Sequence, residues 1–287
     1  MKFKSKESLK KHTSFKIGGK ADCFCQPKSL EEIKEAINYA KEKKLKVVVI
    51  GAGTNLLVSD KGFPGLVIKI ADSFAAFEQT GSQVKAETGI LINKLIQKLE
   101  NKGLSGLEFL AGIPGTLGGA IMMNAGAWGK SIGTYVKEVT LIDKDGKIKK
   151  LSNKELQFGY RKSYLQKKKI ILLNVKLRLH KKLPRAIKAK ISENLKKRRD
   201  RHPLAIPNCG SVFKNPKGRF SGQLIEAAEC KGWRVGDAQV SHKHANFIVN
   251  LGDATSKDVL KLMLKVQNAV KAKFKIILEP EIKIMVD

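Results

Sequence analysis

The window GIPGTLGGAIMMNAGAWG, Gly112 to Gly129, constrains this chain more than any other stretch. It contains six glycines and no charged residue. Around it, 56 Lys+Arg stand against 26 Asp+Glu in 287 residues, a formal net charge of +30. A chain this charged that keeps one long stretch neutral and small-sided is holding main chain bare. Such main chain either packs against other backbone in a glycine-rich loop or lies against something large and anionic. Glycine suits the second use because it permits positive φ and lets a flat ring or a diphosphate approach the backbone. Thr116 and Asn124 add side-chain hydrogen-bonding groups inside the window.

A second glycine turn stands upstream. In VVVIGAGTNLLVSD a β-branched run empties into Gly51-Ala52-Gly53-Thr54-Asn55-Leu56. A strand opening into Gly-x-Gly suggests a dinucleotide fingerprint, but Leu56 occupies the third glycine position and no helical pattern follows. A phosphate site built on a helix N-terminus is therefore excluded. Two readings remain: a plain strand-connecting turn, or a nest of consecutive N–H groups aimed at a pyrophosphate. With one such loop after each α/β unit, the two together would clasp one extended dinucleotide.

Periodicity supplies the frame. Ser29–Glu32 reads as a capping box before Leu30, Ile33, Ile37 and Ala40 at helical spacing. Leu91, Ile92, Leu95, Ile96 and Leu99 mark a second helix, ended by Gly103. VTLIDKDGKIKKL predicts a hairpin turning at Asp145-Gly146, and IILLNVKLRL a further strand. Pro184 suits the first turn of a basic helix with apolar Ile187, Ile191 and Leu195. Thr255–Asp258 opens a helix whose core stripe is Val259, Leu262, Met263, Val266 and Val270. IILEPEIKIMV predicts a terminal strand. The alternation argues for α/β or α+β layering.

Composition narrows the class. Hydrophobic residues make up 42% of the chain, enough for real cores. No apolar run nears the roughly 20 residues that span a bilayer, and the basic N-terminus lacks a signal-peptide core. The expectation is a cytoplasmic protein with no membrane partner. Cys23, Cys25, Cys209 and Cys230 fit no common zinc spacing and read as reduced thiols. His242 and His244 have no carboxylate or cysteine cluster beside them, so no metal is expected. The run KKRRDRH, Lys196 to His202, is the best nucleic-acid candidate. Aromatics are only 6% and do not interleave with basic runs as a stacking platform requires. A solvated helix face, or a clamp for a small phosphorylated ligand, suits it better, and no specific nucleic acid is expected.

Seven motifs in order then carry a resemblance. They are HTSFKIGG (His12–Gly19), GAGTNLL (Gly51–Leu57), GLEFLAGIPGTLGGAIMMNAGAWG (Gly106–Gly129), FGYRKS (Phe158–Ser163), CGSVFKNP (Cys209–Pro216), SHKHANFIVN (Ser241–Asn250) and LEPEI (Leu278–Ile282). Together they resemble the UDP-N-acetylenolpyruvoylglucosamine reductase family over nearly the whole chain. No extra segment interrupts Gly232–Val240, so the chain resembles the shorter subclass, without the tyrosine-bearing insertion. The resemblance implies an α+β fold: a two-subdomain FAD-binding region of the PCMH, or vanillyl-alcohol-oxidase-like, kind, followed by a C-terminal α+β substrate-binding domain. FAD would occupy subdomains 1–70, rejoined by a terminal strand 276–287, and 71–182. The UDP-sugar would occupy 183–275. The cofactor contacts implied are Gly51, Ala52, Gly53, Thr54, Asn55 and Leu56 in one loop. In the other they are Gly112, Pro114, Gly115, Thr116, Gly118, Gly119, Asn124 and Gly126.

The implied reaction passes a hydride from NADPH to FAD and on to C3 of an enolpyruvyl ether, in peptidoglycan precursor synthesis. Two tasks follow: stabilise enolate-like charge, and give C2 a proton. Arg161 suits the first, because guanidinium offers a fixed fork to a carboxylate. Ser211 is implied as the proton donor and Glu281 as the third catalytic residue, with Glu279 its near alternative. Tyr160, Lys214 and Asn215 are implied substrate contacts, the lysine toward the diphosphate; Arg199 and Arg201 could help there. A monomer is expected. The alternatives are another FAD oxidoreductase of the same architecture, or a basic nucleic-acid-binding protein.

Overall fold

The computed structural model describes residues 1–72 and 74–285. They divide into two compact units. One comprises residues 1–4, 24–52 and 66–198; the other comprises 5–23, 53–65 and 199–287.

The first unit is built on a five-stranded antiparallel sheet. Its order is Ile148–Ser152, Val136–Asp143, Ile170–Arg178, Gln83–Glu87 and Phe77–Thr80. Ile170–Arg178 lies in the middle, which its Ile- and Leu-rich composition requires. The expected hairpin forms, with Gly146 at φ +80° in its turn. Helix α1 (Leu30–Glu42) precedes the strand Lys46–Ile50, and α2 (Ile92–Asn101) follows Gln83–Glu87. The α2 stripe Ile92, Leu95, Ile96 and Leu99 is buried in one core with Val84, Val139, Leu141, Val175 and Leu177. The short helices α3 (Leu117–Met122) and α4 (Asn153–Leu156) follow, then α5 (Pro184–Arg201), with Pro184 at its first position.

Two local expectations change. Ser29 accepts the Glu32 N–H at 3.2 Å, but the Glu32 carboxylate takes the N–H of Lys28 rather than closing the box on Ser29. On α5 the buried stripe runs Ile187, Ile191, Asn194 and Arg198, while Leu195 is 44% exposed. The stripe turns polar halfway along because its partners there are backbone carbonyls, described below.

In the second unit, Asn208–Ser211, Phe247–Asn250, Ala238–Val240 and Arg234–Val235 form an antiparallel sheet. Helices α6 (Ser221–Ala227) and α7 (Ser256–Phe274) complete it. The α7 stripe is buried as expected, in a core with Phe15, Ile17, Leu57, Val212, Phe213 and Ile225. The N-terminal motif is tied to this sheet: the Ser14 hydroxyl donates to Asn208 O at 2.7 Å, and Asn250 Nδ2 to Phe15 O at 3.0 Å. Residues 5–23 and 53–65 thus fold with the segment that starts at Arg199.

The terminal strand is shorter than expected. Only Lys283–Met285 is regular, running parallel to Leu56–Val58. Pro280 interrupts the stretch before it, since proline has no N–H for a ladder; residues 286 and 287 of the expected strand lie outside the described residues. All four cysteines are buried, and none forms a disulfide among the described residues. Among the described residues no helix is long and apolar enough to cross a membrane.

Asp60 fastens the start of α7 from nearly two hundred residues away. Its carboxylate accepts Ser256 N at 2.8 Å, Ser256 Oγ at 2.8 Å and Lys257 N at 3.3 Å. These are orphan donors of a helix N-terminus. We expect Asp60→Ala to cost about 1 kcal/mol and lower Tm by about 2–4 °C, as a lost cap does; calorimetry checks this, and an unchanged Tm would show that Thr255 alone suffices.

Candidate active site

In the first unit the two glycine loops touch. A methyl group on Gly51 would land on the Thr116 hydroxyl. The Thr116 hydroxyl also caps α3, accepting Gly119 N at 3.3 Å. Leu117 N donates to Ile90 O and Gly118 N to Thr88 O, so the window is pinned beyond the end of Gln83–Glu87. A Cβ on Gly118 would press on Thr88, and one on Gly126 would strike the Lys130 carbonyl. Those two glycines therefore serve packing. Gly112, Pro114 and Gly119 are exposed and Gly115 half-exposed. Both readings of the window hold, for different glycines: some let backbone pack on backbone, others leave backbone bare.

Asn124, expected to meet the cofactor, also bonds backbone: Nδ2 donates to Gly159 O at 2.8 Å and Oδ1 accepts Gly133 N at 2.9 Å. The side chain is buried, and these two bonds use one N–H and one lone pair of its amide. It places the turn that carries Arg161.

That turn is closed by paired backbone bonds between Gly159 and Lys162 at 3.0 and 3.1 Å. Arg161 sits at its tip with φ +52°, and its guanidinium lies 5.3 Å from the centre of the Tyr160 ring. Tyr160 is 55% exposed. Gln166 Nε2 holds Arg161 O at 3.0 Å, and Ser163 Oγ holds Met122 O at 2.7 Å. A cation is thereby presented beside the glycine window on a fixed support.

Arg198 was missed from sequence. It lay inside KKRRDRH, where solvated cations were expected, yet it is buried. Its Nε donates to Ala111 O at 2.7 Å and Nη2 to Phe109 O at 3.3 Å. Burial, and then the nearby charge of Arg161, lower its pKa to about 10; it remains a cation at neutral pH. Asn194, one turn earlier, donates to Glu108 O at 2.8 Å. Glu108 itself is buried. Burial raises its pKa, but the Ser105 hydroxyl and backbone N–H groups outweigh that and keep the carboxylate ionised. The signal was readable: Ile187, Ile191, Asn194 and Arg198 continue one helical stripe.

In the second unit, Ser211 follows Gly210, which has φ +83°. The Glu281 N–H donates to Val212 O at 2.7 Å, so Ser211 and Glu281 lie on adjacent backbone segments. Glu279 turns elsewhere, pairing with Lys214 at 3.1 Å while 73% exposed. The Asn55 amide donates to Glu281 O at 3.3 Å, and Asn55 O accepts Lys283 N at 2.9 Å. Asn55 therefore steadies the Glu281 segment. Asn215 Oδ1 accepts Ser221 N at 3.0 Å and caps α6. Arg199 and Arg201 lie in the last turn of α5. Burial pushes the Cys209 thiol far up, so it is no competing nucleophile. Among the described residues no group of three His, Cys, Asp or Glu could hold a metal ion.

In the first unit the donor set suits a dinucleotide diphosphate: bare main chain, the Thr116 hydroxyl, no carboxylate side chain in 51–52 or 112–119, and two guanidiniums beside the window. Comparison with known proteins agrees. Residues 21–152 match an FAD binding domain family, and residues 202–285 match the C-terminal domain of UDP-N-acetylenolpyruvoylglucosamine reductase. A UDP-N-acetylenolpyruvoylglucosamine reductase of Alkaliphilus oremlandii is 46% identical over 280 residues, covering 97% of this chain and 92% of that protein. The chain belongs to the UDP-N-acetylenolpyruvoylglucosamine reductase family. A relative of that name from Clostridioides difficile is 42% identical over 279 residues, covering 97% of this chain and 92% of its own. The crystal structure of UDP-N-acetylenolpyruvylglucosamine reductase from Thermus caldophilus superimposes with a TM-score of 0.85 at 35% identity, covering 99% and 98% of the two chains. The fold is thus the family's: an FAD-binding region of the PCMH kind followed by the reductase C-terminal domain. Where the longer subclass carries its insertion, this chain closes a hairpin, with Gly232 N donating to Val240 O at 2.9 Å.

A second buried asparagine holds the backbone just after Ser211. Asn246 Oδ1 accepts Phe213 N at 2.9 Å and its Nδ2 donates to Phe213 O at 2.8 Å, standing in for a strand partner. We expect Asn246→Ala to strand both backbone groups and cost about 2 kcal/mol or more, read as a shift in the urea midpoint with m unchanged. A variant as stable as wild type would show that water replaces the amide.

Proposed function

We propose that this chain is an FAD-dependent UDP-N-acetylmuramate dehydrogenase, reducing UDP-N-acetylglucosamine enolpyruvate to UDP-N-acetylmuramate with NADPH. The observation that carries the reading is the pairing of the Glu281 segment with Val212, inside the region that matches the reductase C-terminal domain. FAD, when bound, supplies the route by which reducing equivalents pass from NADPH to the enolpyruvyl ether. The protein's own residues do the rest.

Bare backbone at Gly51–Ala52 and Gly112–Gly119 receives the dinucleotide, with the α/β units of 1–70 and 71–182 as its cradle and 183–275 reserved for the UDP-sugar. Arg161 forks the substrate carboxylate and stabilises the negative charge that builds as C3 is reduced. Its backbone is fixed by Gln166. Ser211 Oγ gives the proton to C2. A hydroxyl is a weak acid, but a carbanion-like acceptor is basic enough to take its proton. Glu281, one backbone step away, helps place the substrate carboxyl and stabilise the protonating state. Tyr160, Lys214 and Asn215 contact the UDP-sugar; Lys214 exchanges its solvent-exposed pair with Glu279 for a phosphate. Such an exposed pair is weak, so the exchange is easy. The strong positive charge draws both anionic substrates, with an on-rate that falls as salt rises. We further propose that the enzyme acts in the cytoplasm as a monomer.

An anaerobic two-stage flavin assay tests this. Ser211→Ala should reduce its flavin with NADPH at nearly the wild-type rate, then reoxidise it with the enolpyruvyl UDP-sugar about 10²–10⁴-fold more slowly. Equal losses in both stages would remove Ser211 from the proton transfer. In Arg161→Lys the second stage should slow about 10²-fold, since lysine keeps the charge but lacks the fork. Wild-type turnover there would mean that Arg161 makes no such contact. A purified protein that carries no flavin and takes none up would overturn the reading as a whole.

A further inference from the structure

Arg198 and Asn194 remain outside the reaction described above, yet they are polar, buried and adjacent on one face of α5. Between them they bind three carbonyls of one short stretch: Asn194 takes Glu108 O, while Arg198 takes Phe109 O and Ala111 O. Those carbonyls close the single 3-10 turn Glu108–Leu110. Within the turn Glu108 O already accepts Ala111 N, and Asn194 adds a second donor to it; Phe109 O and Ala111 O, at the turn's end, take theirs from Arg198, where partial negative charge favours a cation. On the other side of the same turn, the Glu108 carboxylate takes Ser105 Oγ and Gly106 N. The turn is thus held from both sides, and Gly112 leaves it directly into the glycine window.

The fit is close. Gly112 has φ +76°, and a Cβ there would approach the Arg198 Cδ to 2.7 Å. The Arg198 guanidinium also lies 5.8 Å from the centre of the Trp128 ring, at the far end of the window. Among the described residues it forms no ion pair with a carboxylate. A buried guanidinium matched to carbonyls and an aromatic face is a geometric device as much as a charge.

We propose that Arg198 and Asn194 are positioning residues that lock the Glu108–Gly112 turn and thereby preform the glycine window for FAD. The site reading above supplies the ligand; the clamp itself is a property of the flavin-free chain. Without it, ordering the window would be charged against FAD binding.

The test compares three variants. Asn194→Leu removes one carbonyl bond. Arg198→Lys keeps the charge and loses the two-carbonyl fork. Ile187→Ala opens the same helix face two to three turns away, in the same core. Hydrogen exchange on flavin-free protein should show faster exchange of amides 109–116 in the first two variants and not in the third. FAD titrations followed by flavin fluorescence should give Kd values raised about tenfold or more in the first two, and within about twofold of wild type in the third. The proposal is overturned if Kd follows Tm alike in all three, or if exchange in 109–116 is unchanged by Asn194→Leu and Arg198→Lys. Wild-type protein that binds no FAD would instead defeat the flavin reading, while the exchange data would still decide whether the clamp exists.

Discussion

The contact between Gly51 and Thr116 is the constraint on which the first unit's site rests. Two loops meet where the Thr116 side chain rests against bare main chain at Gly51, which joins two separate turns. Nothing larger than glycine fits at Gly51, and Thr116 must spend its hydroxyl on the α3 N-terminus to stay there. Everything that surrounds the surface keeps it in place: Thr88 and Ile90 carbonyls from one side, Asn124 toward the Arg161 turn, and α5 beneath Glu108–Ala111.

Charge is distributed in keeping with that surface. The chain carries +30 overall, yet the window itself has no ionised side chain. Its cations stand beside it, on α5 and on a backbone-closed turn. Burial first, and then the nearby charge of Arg161, lower the Arg198 pKa to about 10, which leaves it a cation. An anion entering here meets fixed cations and neutral main chain, which is the arrangement that costs least reorganisation during reaction. In the second unit the same logic is carried by amides. Asn246 and Asn55 bond backbone beside Ser211 and Glu281, so those two segments stand on hydrogen-bonded supports.

Much of this was readable before any coordinates. The α2 and α7 stripes, the hairpin at Asp145-Gly146 and the Pro184 helix start all follow from periods and caps of a few residues. Misreadings cluster where a long-range partner intervenes. Leu195 was placed inside by period alone; Arg198 displaced it because carbonyls of 109 and 111 wait on that side. The bonds of the Asn124 amide to Gly133 and Gly159 likewise have no local signal. The terminal strand was read too long because a ladder broken at Pro280 still looks apolar in sequence.

By itself the sequence determined the elements, the family and the chemical types available: two glycine loops, a guanidinium, a hydroxyl and a carboxylate in ordered motifs. These depend on local φ/ψ preferences and on side-chain period, which act over a few residues. Only the tertiary structure decided which polar groups face backbone and which remain for a ligand. It brought Gly51 to Thr116, Glu281 to Val212 and Asp60 to α7, across separations of 65 to nearly 200 residues. A hydrogen bond to a distant carbonyl fixes where an amide points, and no local pattern announces that a distant carbonyl will arrive.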